Sequence, residues 1–94
     1  MMSGGHFGYA QFEIQKIAQE IEQLIEVNHD QTPDRWGEKK GREYPPGVMI
    51  EFAKAVKALK VATAYAHRID YLLSGDDGED SFLRRLADDL KALT

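Results

Sequence analysis

The sequence predicts an all-α fold: a three-helix domain with a long central helix, an ordered proline- and glycine-rich loop before it, and a short C-terminal helix. Apolar residues recur at three- and four-residue spacing in three separate stretches, and prolines and glycines collect between the first two. The 94 residues make a single domain. A chain of this length buries only about 60–65% of its unfolded surface, so its own core is marginal.

The first helix is predicted over residues 11–28, after a glycine- and aromatic-rich segment at residues 1–10. Glutamates occupy the face opposite its apolar residues, which is the pattern of an amphipathic helix. We expect Asn28 to end this helix, because asparagine tolerates the left-handed conformation that often follows a last helical residue. The apolar face consists of Ile14, Ile17, Ala18, Ile21, Leu24 and Ile25.

A loop is predicted over residues 29–46, because its prolines and glycines interrupt both helices and strands. The second helix is predicted over residues 47–74, just after Pro46, and the third over residues 80–93. Gly75 is expected to end the second helix, and Asp80 or Ser81 to cap the third. The second helix carries two adjacent apolar stripes, more than its neighbours in one chain can cover. We therefore expect a homo-oligomer.

Composition excludes several classes of function. The formal net charge of −4 argues against a nucleic-acid partner that depends on phosphate neutralisation. The chain has no cysteine, which excludes disulfides and thiolate catalysis. No apolar run reaches the ~18 residues of a membrane span, and the start lacks the pattern of a secretion signal. We expect a cytoplasmic protein with no membrane partner.

Catalytic and metal motifs are missing from the sequence. The three histidines lie on different predicted elements and form no HExxH pattern, whereas zinc needs three or four convergent ligands. No nucleotide-binding phosphate loop and no Ser-His-Asp order is present. We therefore expect a binding protein rather than an enzyme, with no metal and no cofactor.

The end of the second helix combines polar and aromatic side chains suited to a ligand. Arg68 offers a planar fork for phosphate or carboxylate and stacks on rings. Asp70 is suited to a ribose hydroxyl pair, and Tyr65 and Tyr71 to a base. An intersubunit ion pair between Arg68 and Asp70 is an equal alternative. His67 is expected to be a hydrogen-bonded interface residue that contacts Tyr71 one turn later.

The N-terminal segment is a second candidate for ligand contact. Gly4 and Gly5 allow close backbone approach to an anion, and His6, Phe7 and Tyr9 could cover a planar group. Packing of the aromatic residues onto the helices is an equal alternative.

The central loop supplies secondary candidates. Trp36, Arg42 and Tyr44 lie among basic residues, a pattern typical of a nucleotide-binding patch. A solvated loop with its aromatic side chains packed inward is the favoured interpretation.

Two stretches resemble a widespread set of small phage and prophage proteins. One is the opening Ser3-Gly4-Gly5-His6-Phe7 with Tyr9 and the following isoleucine-rich helix. The other is Arg68-Ile69-Asp70 leading to the segment Leu73-Ser74-Gly75-Asp76-Asp77-Gly78-Glu79 with Ser81-Phe82. Gly8 stands where the family pattern has an acidic or polar residue.

A phage origin implies a class of function, because small oligomeric phage proteins often resemble anti-defence factors. The resemblance therefore implies a non-enzymatic sponge that sequesters a nucleotide-derived immune signal, such as a cyclic ADP-ribose, an ADP-ribose conjugate or a cyclic oligonucleotide. The expected pocket is built by an oligomer in an infected or lysogenic bacterial host. The alternative is an inhibitor or adaptor that binds a host or defence protein.

Overall fold

The computed structural model describes residues 6–93, which form three helices and no strand. Helix α1 spans Gln11–Glu26, helix α2 spans Pro46–Leu73 and helix α3 spans Glu79–Ala92. The predicted all-α class is confirmed for this part of the chain. Each helix lies within two residues of its predicted position. Gly4 and Gly5 lie outside the described residues.

Asn28 does not end α1 in the expected way. The helix ends at Glu26, and the non-glycine residues with left-handed conformation within residues 6–93 are Tyr9 and Glu43, not Asn28. Asn28 is instead buried, and its side chain forms two hydrogen bonds with the backbone of Tyr44. Its amide donates to the Tyr44 carbonyl at 3.1 Å, and its carbonyl accepts the Tyr44 N–H at 3.0 Å. These hydrogen bonds connect the last residues of the loop to the end of α1.

The junction between α2 and α3 is a glycine-terminated turn. Gly75 has φ +83°, which confirms that it ends α2. Its N–H donates to the Leu72 carbonyl at 3.2 Å, and the next N–H donates to Tyr71. The expectation that Asp80 or Ser81 caps α3 is wrong, because the capping position is Gly78. Ser81 lies in the first turn, where its hydroxyl accepts the Gly78 N–H at 3.0 Å.

Residues 30–41 form a hydrogen-bonded turn between α1 and α2, which we call the hairpin. Its arms are joined by the N–H of Lys40 to the Thr32 carbonyl at 3.0 Å and by the N–H of Gly41 to the Asp30 carbonyl at 2.9 Å. At the tip, one Asp34 carboxylate oxygen accepts the Trp36 N–H at 2.8 Å. The backbone therefore presents the tip in one defined conformation.

The helices pack as a thin layer rather than around a closed core. Helix α2 contacts both α1 and α3, whereas α1 and α3 do not contact each other within the described residues. The extents are 51 × 27 × 14 Å. Ala18 and Val56 are the buried apolar residues of this layer. Ile17, expected on the buried face of α1, is half exposed, because that face meets only one helix.

Large apolar side chains remain exposed on every element that the structure describes. They are distributed over the N-terminal segment, the hairpin and all three helices. The exposed set comprises Phe7, Tyr9, Phe12, Ile17, Trp36, Ile50, Tyr65, Leu73 and Leu83.

No helix among residues 6–93 is both long enough and apolar enough to cross a membrane.

Candidate functional site

A buried carboxylate anchors the start of the described chain to the end of α2. Asp70 has no exposed surface. One of its oxygens accepts the backbone N–H of Phe7 at 3.1 Å, and the other accepts the side-chain amide of Gln11 at 2.9 Å. Burial of a carboxylate is costly unless donors surround it. Asp70 therefore positions the N-terminal segment on α2.

The N-terminal segment that Asp70 holds on α2 begins a continuous series of ring contacts. Tyr9 stacks on Phe12 with ring centres 6.1 Å apart, and Phe12 meets the edge of His67 at 6.0 Å. His67 contacts Tyr71 at 4.5 Å, which confirms the contact expected one helical turn apart. Arg68 lies over the Tyr71 ring at 5.9 Å. We call Tyr9, Phe12, His67 and Tyr71 the aromatic series.

Two clefts meet at His67. The larger is an open groove of about 610 Å³ between the helices, and its wall includes Phe12 and Asp89. The smaller has about 460 Å³ and is lined by His67, Arg68, Tyr71, Asp76 and Arg85. We call the smaller one the polar cleft. A planar ligand bound there would lie against the end of the aromatic series.

The basic side chains of the polar cleft are paired within the chain. Arg68 donates to both oxygens of Asp89, at 2.6 and 3.4 Å, and thereby links α2 to α3. This hydrogen bond raises the pKa of Arg68 above its ordinary value. Arg85 donates to Asp77, whose side chain is buried. The Arg68 side chain is mostly covered in its pair with Asp89, whereas the Arg85 side chain is half exposed.

The structure brings most of the predicted ligand-binding residues together. His6 contacts Phe7 edge to face, with ring centres 5.0 Å apart. Phe7 is tied to Asp70, while Tyr9 leads through the aromatic series to Tyr71 and Arg68. Two placements differ from the expectation. Asp70 uses both oxygens on protein donors, and Tyr65 is exposed without lining either cleft.

The secondary candidates lie at the opposite end of α2. Trp36 is at the hairpin tip, 77% exposed, with the Arg35 guanidinium 5.2 Å from its ring centre. Tyr44 packs edge to face on Phe52 at 5.6 Å. Arg42 is exposed beside them. These residues do not share a cleft with the aromatic series.

Sequence reasoning missed four residues of the site. Gln11 is the buried partner of Asp70, Phe12 is part of the aromatic series, and Asp89 and Arg85 belong to the ion pairs. Phe12 could have been predicted, because it follows Tyr9 by three residues at the start of a helix. Asp89 and Arg85 on α3 could not, because pairing between helices depends on how the helices pack.

Comparisons of the chain with protein-family models, curated proteins and solved structures give no match. The resemblance to phage proteins thus remains a prediction.

Proposed function

We propose that this protein binds a small nucleotide-type ligand without transforming it. The observation that carries the proposal is the aromatic series ending in the polar cleft, with His67 4.5 Å from Tyr71 and Arg68 over the Tyr71 ring. Bases of any kind stack on such rings, and a guanidinium plane adds to the stacking. The sequence carries no catalytic or metal motif, in keeping with capture alone.

The biological setting of the proposal comes from the resemblance. A phage-encoded sponge that sequesters a cyclic ADP-ribose, an ADP-ribose conjugate or a cyclic oligonucleotide in the bacterial cytoplasm needs capture without turnover. It also benefits from assembly, because copies that associate cover apolar surface and enclose open clefts. The exposed apolar side chains on every element support a homo-oligomer as part of the proposal.

A thermal-shift screen tests ligand capture. Purified protein would be heated with ADP-ribose, cyclic ADP-ribose and a panel of cyclic dinucleotides. A ligand that binds the folded state alone raises the free energy of unfolding by about 2.7 kcal/mol at a hundredfold excess over its Kd. We expect a concentration-dependent rise in Tm with at least one member of the panel. An unchanged Tm throughout would reject the proposal.

Variants connect the shift to the polar cleft. His67→Ala and Arg68→Ala remove stacking groups, and each should weaken binding by tenfold or more, on the order of 1.4 kcal/mol. Lys57→Ala, on the exposed side of α2, is the matched control and should leave the affinity unchanged. Equal affinities for all three variants would place the ligand elsewhere.

A second candidate function is protein binding, as an inhibitor or adaptor. The observation that favours it is Trp36, held at the hairpin tip by the Asp34 carboxylate yet 77% exposed. The Asp34 hydrogen bond orders the backbone at Trp36 before binding, which reduces the conformational entropy lost on docking, and tryptophan is prominent among the residues that dominate interfaces.

The single tryptophan of the chain reports directly on this candidate. Docking of the hairpin would shift Trp36 emission to shorter wavelength and protect it from acrylamide quenching. Trp36→Ala should abolish association with the partner while changing Tm by no more than about 4 °C, because the exposed ring contributes little to the fold. Emission of a fully exposed indole in the complex would exclude the hairpin as the docking element.

A further inference from the structure

Arg85 is the more accessible of the two arginines that line the polar cleft. Its side chain is 50% exposed, whereas that of Arg68 is 20% exposed. A guanidinium group has five N–H donors. Arg85 gives one of them to Asp77, and Arg68 gives two to Asp89. Within the described part of the chain, both arginines therefore keep N–H donors for a ligand, and Arg85 keeps more of them.

The carboxylates around the polar cleft are themselves engaged. Asp89 accepts from Arg68, and Asp77 accepts from Arg85 at 2.5 Å. Asp76, which lines the cleft, also takes part in an interaction. The Asp77 side chain is only 1% exposed, so it holds one edge of the Arg85 guanidinium without contacting a ligand itself. An anion in the cleft would thus meet N–H donors, while the charges of Asp77 and Asp89 are offset by their guanidinium partners.

The stacking surface and these donors share one cleft. Tyr71 and His67 line it, with ring centres 4.5 Å apart. Its volume of about 460 Å³ lies within the range of roughly 300–1,000 Å³ that is typical of small-molecule sites. A single ribose separates the base of a nucleotide from its 5′-phosphate. A base that stacks on these rings therefore leaves the phosphate of the same molecule to meet the arginines.

We propose that Arg85 binds the phosphate of the ligand, so that the polar cleft prefers phosphorylated nucleotides to nucleosides. This inference rests on the proposed function and narrows it. The planar N–H donors of a guanidinium match the oxygens of a phosphate and form short, strong hydrogen bonds with them. Arg68, which is less exposed and bonded to both oxygens of Asp89, keeps its stacking role. Recognition of the phosphate depends on directed donors more than on net positive charge.

Isothermal titration calorimetry tests the preference by comparing each common nucleoside with its 5′-monophosphate. The monophosphate is expected to bind about tenfold more tightly, the effect of one charge-assisted hydrogen bond. A nucleoside that binds as tightly as its monophosphate would overturn the inference and leave capture of the base standing. If neither set binds and the thermal-shift panel also leaves Tm unchanged, the proposed function falls with it.

Two neighbouring arginines provide a matched pair of variants. Arg85→Gln should weaken binding of the monophosphate, and of ADP-ribose, by about tenfold while leaving the affinity for the nucleoside unchanged. Arg84→Gln removes an equal charge from the adjacent residue, which is exposed and lies outside the polar cleft, and should change neither affinity. Equal losses in the two variants would contradict a specific role for Arg85.

A double variant separates phosphate binding from the stability of the fold. Arg85→Gln alone leaves the buried Asp77 carboxylate without its guanidinium partner, which is destabilising. Arg85→Gln with Asp77→Asn removes both charges, and it should show the same tenfold loss of monophosphate affinity with a Tm closer to that of the original protein. Asp77→Asn alone keeps Arg85 and should retain the affinity. Full affinity in the double variant would overturn the inference.

Discussion

Gln11 and Asp70 are 59 residues apart along the chain, yet the Gln11 amide donates to the Asp70 carboxylate at 2.9 Å in the most buried part of the molecule. The two are the largest side chains that are almost fully buried in the described residues. Apolar contacts alone permit several relative positions of two packed helices. A buried hydrogen bond can form at only one of these positions. This polar pair therefore sets how α1 lies on α2.

Asp70→Ala should lower the free energy of unfolding by about 2–4 kcal/mol, because it leaves the Phe7 N–H and the Gln11 amide buried without an acceptor. Asp70→Asn should cost less than half as much. The free carbonyl oxygen of Gln11 can then accept a hydrogen bond if the glutamine amide reverses. Chemical denaturation measures both values. Asp88→Ala, exposed on α3, is the control, and a loss equal to that of Asp70→Ala would contradict the assignment.

Gly41→Ala should destabilise the fold by about 2–4 kcal/mol, because an added Cβ would lie 2.5 Å from the Asn28 carbonyl oxygen and 2.6 Å from that of Val27. Both obstacles are backbone atoms, so no side-chain movement relieves them. Gly47→Ala is the matched control: its Cβ would meet nothing within 4 Å, and alanine is the better helix former. Thermal unfolding should show a lower Tm for the first variant and an equal or higher Tm for the second.

The backbone N–H groups of the hairpin should lose protection from amide exchange in acid. The Thr32 hydroxyl and N–H lower the pKa of Asp30 below its ordinary 3.8, and Lys39, then Gln31, lowers that of Glu43 below 4.5. A carboxyl whose pKa is lower in the folded state stabilises that state above its ordinary pKa. This contribution disappears as the pH falls through the lowered value.

Amide exchange measured by NMR from pH 6 to pH 2 tests this, with protection factors corrected for intrinsic rates. The N–H groups of Lys40 and Gly41, which close the hairpin, should lose protection below about pH 4, before those in the middle of α2. The double variant Asp30→Asn with Glu43→Gln should show a flatter pH profile. A profile unchanged by these substitutions would show that other groups control the hairpin.

The three helices were predictable because their apolar periodicity and their glycine and proline boundaries are local signals. Gly75 is the clearest case, since its left-handed conformation and its position after an apolar stripe coincide. Burial was less predictable. Ile17 belongs to the correct stripe but remains half exposed, and Asp70 suited a ligand by its chemistry but is buried against protein donors. Both outcomes depend on which helices meet, information that periodicity does not contain.

The same limit applies to the candidate site. The contact between His67 and Tyr71 was predictable because one helical turn separates them. The Asp89 partner of Arg68 lies 21 residues away on another helix, and no spacing rule selects it among the other acidic residues of α3. Sequence reasoning therefore proposed Arg68 for ligand binding but could not predict its ion pair with Asp89.

The Arg68–Asp89 pair should act as a clamp between α2 and α3, and a double-mutant cycle measures its strength. With both side chains less than a third exposed and two hydrogen bonds formed, a coupling energy of about 1 kcal/mol is expected between Arg68→Ala and Asp89→Ala. The exposed interhelical pair Lys60–Glu22 is the matched control, with an expected coupling of about 0.3 kcal/mol. Raising the salt concentration should weaken the control pair more, because water and ions screen it better. Similar small couplings for the two pairs would show that Arg68 is not fixed by Asp89, and its guanidinium would then be free to bind an anion.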